Sequence, residues 1–317
     1  MILSRRKLRK DLSQFLQSPP NLVLAQILPI TLFRPYIHLL GFLYYLARKE
    51  ERKETSQSIT SRISNGASRS EKLALLYRTY RGIFEHYLEK IIIATRSPSE
   101  MADYLLRYCE MGNTKWLDLL HIAGKGGIVA TGHFGASEFL PVLLALNGYR
   151  TATLIRYKTV ALREFAKKRA EAYNIVLIDA NETHSSFQKA LKAIREGRIL
   201  VALCDEFNHW SPSKGSTIRV LGEECPADRG LAILQRRTKA PICLALLYRS
   251  YQSNGKRYRL ALHPITEKGD TRPVSAATWE ILEKYIRRYP EQWYKWNAVA
   301  RGLARYKLRA YEHRSTI

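Results

Sequence analysis

From Gly127 onward the chain alternates short apolar runs with amphipathic ones, and this pattern constrains the fold more than any other feature. The strand-like runs are Ile128–Thr131, Thr151–Ile155, Ile175–Ile178, Ile199–Leu203, Ile242–Tyr248 and Tyr258–His263. Helical periodicity fills Glu138–Asn147, Val160–Tyr173, His184–Arg195 and Asp228–Thr238. Strands separated by helices cannot pair as hairpins. They imply an α/β fold with a mostly parallel central sheet flanked by helices. The apolar fraction of 46% supplies a core for it. Residues 127–300 are the expected core.

The first of these strands leads into a glycine turn. In Gly126-Gly127-Ile128-Val129-Ala130-Thr131-Gly132-His133-Phe134-Gly135-Ala136-Ser137-Glu138 an apolar run ends at a glycine, and a helix starts soon after. Pro141 fits the first turns of that helix, where its missing N–H is tolerated. Open α/β sheets bind ligands at the carboxyl ends of their strands. A histidine held there by a carboxylate can take a proton from a hydroxyl near neutral pH. Gly132 and Gly135 let the backbone approach a substrate closely. The plainer reading has His133 satisfying backbone groups and Glu138 complementing a helix dipole.

Upstream, Ser4-Arg5-Arg6-Lys7-Leu8-Arg9-Lys10 is a basic opening to the chain. A largely apolar stretch follows from Leu22 to Leu46, broken by Pro29, Arg34, Pro35, His38 and Gly41. Residues 1–47 are therefore expected to be an N-terminal hydrophobic helical membrane anchor, interfacial or re-entrant. Residues 48–126 read as a helical linker and N-terminal helices, with a long helix over Lys72–Thr95. Residues 301–317 form a basic, aromatic tail. The formal charge of +24, from 52 Lys+Arg against 28 Asp+Glu, favours an anionic partner. No helix-turn-helix, zinc finger or RNP-like motif accompanies the charge, so an anionic membrane surface is expected and no nucleic acid. A basic nucleic-acid-binding protein or a membrane scaffold is the alternative from another class. Four cysteines, at 109, 204, 225 and 243, form no CxxC pair and read as reduced thiols of a cytoplasmic domain.

Several blocks, in order, resemble the lipid A biosynthesis acyltransferases, the late lauroyl/myristoyl transferases. Gly132-His133-Phe134-Gly135-Ala136-Ser137-Glu138 fits that family's His-x4-Asp/Glu signature. Leu154-Ile155-Arg156-Tyr157 stands where the family carries an arginine, and Leu203-Cys204-Asp205 where it carries an acid. Thr238-Lys239-Ala240-Pro241-Ile242 and Pro290-Glu291-Gln292-Trp293 match its later blocks. The chain departs at Ala136-Ser137, where many members have Asn-Trp, and at Val220-Leu221-Gly222, where Phe-Phe-Gly is usual.

The resemblance implies a glycerolipid acyltransferase-like fold and an O-acyltransferase. The enzyme would move a fatty acyl chain from a thioester to a hydroxyl of a membrane lipid such as a lipid A precursor. A glycolipid or lysophospholipid is the alternative acceptor. Acyl carrier protein is the implied donor, with acyl-CoA the other possibility. The implied place is the cytoplasmic face of a bacterial inner membrane. His133 would be the base, Glu138 its orienter, and no acyl-enzyme would form. Arg156 would stabilise the oxyanion or bind a phosphate; backbone N–H groups around Gly135 would help. Asp205 would position the acceptor, pair with Arg156, or serve structure alone, and Arg229 would contact an anionic head group. Basic residues such as Arg163, Lys167, Lys168 and Arg169 would steer the carrier. His133, Glu138, Asp205 and His209 lack a ligand spacing such as H-E-x-x-H, so neither metal nor cofactor is expected.

Overall fold

The computed structural model describes residues 15–63, 66–156, 160–250, 255–265, 272–299 and 302. The basic opening at Ser4–Lys10, Tyr157, and the tail from Leu303 onward lie outside the described residues.

The chain begins with α1 (Pro19–Ile27), α2 (Ile30–Ala47), α3 (Lys49–Arg62) and α4 (Arg69–Thr95). A proline and an extended residue at Leu28-Pro29 separate the first two. Leu16, Ala25, Phe33 and Ile37 are completely buried, whereas Ile27, Leu32, Leu39, Leu43 and Leu46 face outward. The expected membrane anchor is narrowed here: among the described residues it has no span. No helix among the described residues is long and apolar enough to cross a membrane. The cause is visible in the polar interruptions of α2. Arg34 and His38 turn inward to Glu85 of α4, at 3.6 and 2.9 Å, and tie the segment to the rest of the fold.

The polar start of the expected helical linker is α3. Its buried Thr55 and Ser58 donate hydrogen bonds to Asn297 Oδ1 and the Trp296 carbonyl. Burial of these polar residues is therefore compensated. The long helix α4 starts at a capping box, in which the Ser68 hydroxyl and the Glu71 carboxylate each accept from the other's backbone N–H. Ser97 and Glu100 repeat the device at α5 (Pro98–Tyr108).

Next come β1 (Cys109–Met111), α6 (Lys115–Ile122), β2 (Gly127–Thr131) and α7 (Leu140–Leu146). They are followed by β3 (Thr151–Ile155), α8 (Val160–Ala172), β4 (Val176–Asp179), α9 (Thr183–Arg195) and β5 (Ile199–Leu203). A hairpin, β6 (Pro212–Val220) with β7 (Glu223–Asp228), precedes α10 (Gly230–Thr238), β8 (Ile242–Arg249), β9 (Tyr258–Pro264) and α11 (Val274–Arg288). The main sheet runs β1-β9-β8-β2-β5-β3-β4. Its pairings are parallel except β8 with β9. The expected α/β class with a mostly parallel, helix-flanked sheet is what the chain forms. The hairpin and the short β1 were not expected. All four cysteines are free and buried.

The central strand β2 is buried along its whole length, as a strand covered on both faces must be. Thr131 of β2 is in register with Leu203 of β5. Both strands therefore leave the sheet at the same edge. His133 and Asp205 each lie two residues past that point.

Candidate active site

The register brings His133 and Asp205 into contact. His133 Nδ1 is 2.6 Å from Asp205 Oδ1. Asp205 Oδ2 accepts both the His133 backbone N–H and the Trp293 Nε1–H, each at 2.8 Å. The carboxylate is completely buried, so these partners take the place of water. Burial alone would raise the Asp205 pKa. The His133 imidazole, Lys295 and the Trp293 N–H outweigh it and hold the carboxyl below its usual range.

On the other side of the ring, Nε2 lies 2.9 Å from Glu206 Oε1, which also accepts from Lys295 Nζ at 3.1 Å. Burial pushes Glu206 up, and His133 with Lys295 pull it well below the ordinary carboxylate range. The Tyr294 ring meets the imidazole edge-on at 4.8 Å and stacks on His86 at 3.6 Å. Burial drives the His86 pKa down.

Glu138 lines the same cavity as His133, but its carboxylate goes to Lys90 of α4 at 3.1 Å. The orienting contact expected of Glu138 is made by Asp205 instead. The local backbone explains the difference. Gly135 sits at φ +57°, and Ser137–Phe139 is a 3-10 turn, which aims position 138 toward α4. Burial would raise the Glu138 pKa; Lys90 lowers it.

Gly135 has a structural use. A Cβ there would overlap the Leu247 carbonyl oxygen of β8. Its N–H donates to the Gln292 carbonyl at 2.8 Å, and the Ala136 N–H to the Leu247 carbonyl at 2.7 Å. These two donors are committed to the fold and are not free for an oxyanion. Its φ and the clash together predict a large effect. Gly135→Ala is expected to destabilise the protein by about 2 kcal/mol or more, because positive φ and lost packing space add. A thermal melt on the purified variant checks it.

The Pro290–Trp293 block locks this turn. Gln292 Oε1 accepts the Arg249 N–H at 2.7 Å, and Gln292 Nε2 donates to the Arg249 carbonyl at 2.9 Å. Arg249 forms a buried bidentate pair with Glu89, at 2.8 and 2.7 Å, and its Nη2 also donates to the Gly135 carbonyl at 3.3 Å. Trp293 is fully buried, and its N–H in addition fixes Asp205.

Arg156 follows β3 at the same sheet edge. It donates to Asn181 Oδ1 at 2.9 Å and lines the cavity beside His133. It does not pair with Asp205, which corrects that expectation. Arg229 is exposed at the start of α10, with a 3.4 Å contact to the Ser211 hydroxyl, and is not brought to His133. Of the expected basic cluster, Arg163 is paired with Asp179 and Glu182, and Lys167 with Glu164. Arg169 instead lines the His133 cavity. Lys90, Glu206, Tyr294 and Lys295 were not picked out from the sequence. Glu206 adjoins Asp205, and Tyr294-Lys295 adjoin Trp293, so the neighbours of two recognised blocks carried the signal.

Three spaces open from the histidine among the described residues, and two of them concern the substrate. One polar chamber of about 120 Å³ is lined by Lys90, Arg156, Arg169, Glu206 and Lys295. A larger cavity of about 340 Å³ reaches from His133 past Leu154 to Phe187, Ala190, Leu231 and Leu234. A cationic chamber joined to an apolar slot suits a substrate with an anionic or polar head and a hydrocarbon chain.

The carboxylates also set acid stability. Asp205, Glu206, Glu138 and Glu85 all have folded-state pKa values below their unfolded ones. Their stabilisation is present above the unfolded values of about 4 and is lost as pH falls through the folded ones. Glu89, which burial raises to about 7, acts with the opposite sign, losing stability as pH climbs toward that value. Melting temperature is therefore expected to drop steeply below about pH 4. Asp205→Asn is expected to flatten that limb in a pH series of thermal melts.

A mostly parallel α/β sheet thus presents a carboxylate-held histidine at its strand ends, beside a cavity with an apolar lining, an arrangement that suits a group-transfer enzyme. The chain belongs to the bacterial lipid A biosynthesis acyltransferase family, whose sequence model matches residues 20–296. It is therefore an acyltransferase. No curated protein matches the chain at a significant level.

Proposed function

We propose that the enzyme moves a fatty acyl group from a thioester, with acyl carrier protein favoured over acyl-CoA, to a hydroxyl of a membrane lipid such as a lipid A precursor. The observation that carries this reading is the His133 ring, with Nδ1 on a buried carboxylate and Nε2 on the cavity side. Asp205 holds the proton on Nδ1, and Nε2 serves as the base once Glu206 has withdrawn from it and the proton shared in that contact has left. The acceptor hydroxyl takes the place of Glu206 at Nε2 and gives its proton there as its oxygen attacks the thioester carbonyl. The new C–O bond forms, the tetrahedral intermediate collapses, and the C–S bond breaks. The proton on Nε2 passes to the departing thiolate, so the products are an ester and a thiol.

Arg156 and Lys90 line the chamber in which the oxyanion develops, and their charges favour it. Asp205 is a positioning residue, and Glu138 places Lys90. The apolar cavity along Phe187, Ala190, Leu231 and Leu234 takes the hydrocarbon chain. The outward apolar side chains of α1 and α2 rest in the cytoplasmic leaflet of the inner membrane, where an interfacial helix needs no span.

The test is an assay of the purified full-length protein with an acyl carrier protein thioester and a lipid A precursor in detergent. Mass spectrometry should find the precursor heavier by one acyl group and an equal amount of free thiol. An unmodified precursor alongside an acylated glycolipid or lysophospholipid would move the assignment to that acceptor. Turnover of none of them would overturn the reading.

A further inference from the structure

We propose that the groove between α2 and α4 is a second, non-catalytic site that binds the phosphate-bearing head group of an anionic membrane lipid. The groove encloses about 610 Å³, and none of His133, Asp205 or Glu206 lines it. Its charged lining is uneven. Arg34, Arg81 and Arg257 face a single carboxylate, Glu85. That carboxylate is shared by Arg257 at 3.1 Å, Arg34 at 3.6 Å and His38 at 2.9 Å. Three guanidiniums against one acid leave the groove positive. Arg81 and its neighbour Arg78 have no carboxylate within 4.0 Å among the described residues. The Nε of Arg257 is buried without a hydrogen-bond partner among the described residues. An unsatisfied buried donor costs about 1–3 kcal/mol, so Glu85 leaves this guanidinium incompletely paired.

The surroundings of the groove select a lipid over a soluble anion. Phe42 and Tyr77 line it while remaining 44% and 55% exposed. Leu39, Leu43 and Leu46 of α2 and Leu73 of α4, within about a turn or so of these residues, are also exposed. An apolar patch beside a cationic pocket matches a bilayer, whose chains lie beneath its phosphates. Arginine and tyrosine at such a boundary keep their polar ends at head-group level and their apolar parts below.

The experiment is co-sedimentation of the full chain with phosphatidylcholine vesicles, with and without phosphatidylglycerol. It reads binding, so its outcome is independent of whether the acyl-transfer reading holds. Each basic residue near an anionic surface is worth about 1 kcal/mol, or about fivefold, so Arg81→Glu is expected to weaken binding to the phosphatidylglycerol vesicles about 25-fold. Lys192→Glu, an equally large charge reversal on the exposed face of α9, is expected to leave it unchanged. Arg34→Gln combined with Arg257→Gln should weaken it as well. Because that pair strips Glu85 of partners and can disturb folding, the exposed Arg81 variant decides the matter. Wild-type binding that ignores phosphatidylglycerol would overturn the proposal. So would an unaffected Arg81→Glu, or a Lys192→Glu that weakens binding as much. Displacement of the chain from vesicles by millimolar glycerol phosphate would overturn it in favour of a small soluble anion.

Discussion

Asp205→Asn should lower kcat for acyl transfer by about 10⁴-fold, the scale of losing the carboxylate that fixes a catalytic histidine's tautomer. The asparagine would keep nearly the same shape. It could still accept the Trp293 N–H, so the fold should survive. Its amide N–H₂, however, faces His133 Nδ1 as a donor and stabilises the tautomer with the proton on Nε2. That tautomer cannot take a proton from the acceptor. Glu138→Gln should cost less, because its carboxylate contacts Lys90 and not the ring. The measurement is kcat for both variants against the wild type, with thermal melts to confirm folding. A Glu138→Gln loss as deep as that of Asp205→Asn would return the orienting role to the His-x4-Glu spacing.

His133→Ala should remove general-base catalysis and cost at least as much as Asp205→Asn, about 10⁴-fold, the upper end of what such catalysis is worth. The ring also packs edge-on against Tyr294, so some stability should go with it. Substrate affinity should change little, since the acyl slot is lined by Leu154, Phe187, Ala190, Leu231 and Leu234. A kcat loss without a matching rise in KM is the expected pattern. Residues that act as a unit are not additive, so adding Asp205→Asn to His133→Ala should cost almost nothing further. Full additivity of the two losses would separate the residues into different roles.

The sheet was legible because buried parallel strands must be apolar runs and their crossover helices must be amphipathic. Both signals are local. His133 was legible for the same reason: a glycine turn at the end of a strand is a local pattern. Its partner was not. Asp205 lies 72 residues away, and only the neighbouring of β2 and β5 joins the two. Glu138, five residues away, looked like the natural partner until the left-handed Gly135 and the 3-10 turn directed it to Lys90. The β6–β7 hairpin was missed because Ser213-Lys214-Gly215-Ser216 dilutes the alternation a strand would show. The docking of the N-terminal segment onto the rest of the fold was hidden for a related reason. Its composition suits a membrane, but Arg34 and His38 find Glu85 across a long loop of chain, and no local reading reveals that carboxylate. The Trp293 to Asp205 bond shows what the Pro290–Trp293 block accomplishes: it holds the carboxylate that holds the histidine.

The most direct test of acyl transfer by His133 is mass spectrometry of membrane lipids from a strain lacking this protein. The expected spectrum has one membrane lipid lighter by a single ester-linked acyl chain. Expression of the wild-type chain should restore it, and expression of His133→Ala at the same level should not. An unchanged lipid profile in the deletion strain, or full restoration by His133→Ala, would contradict the central claim.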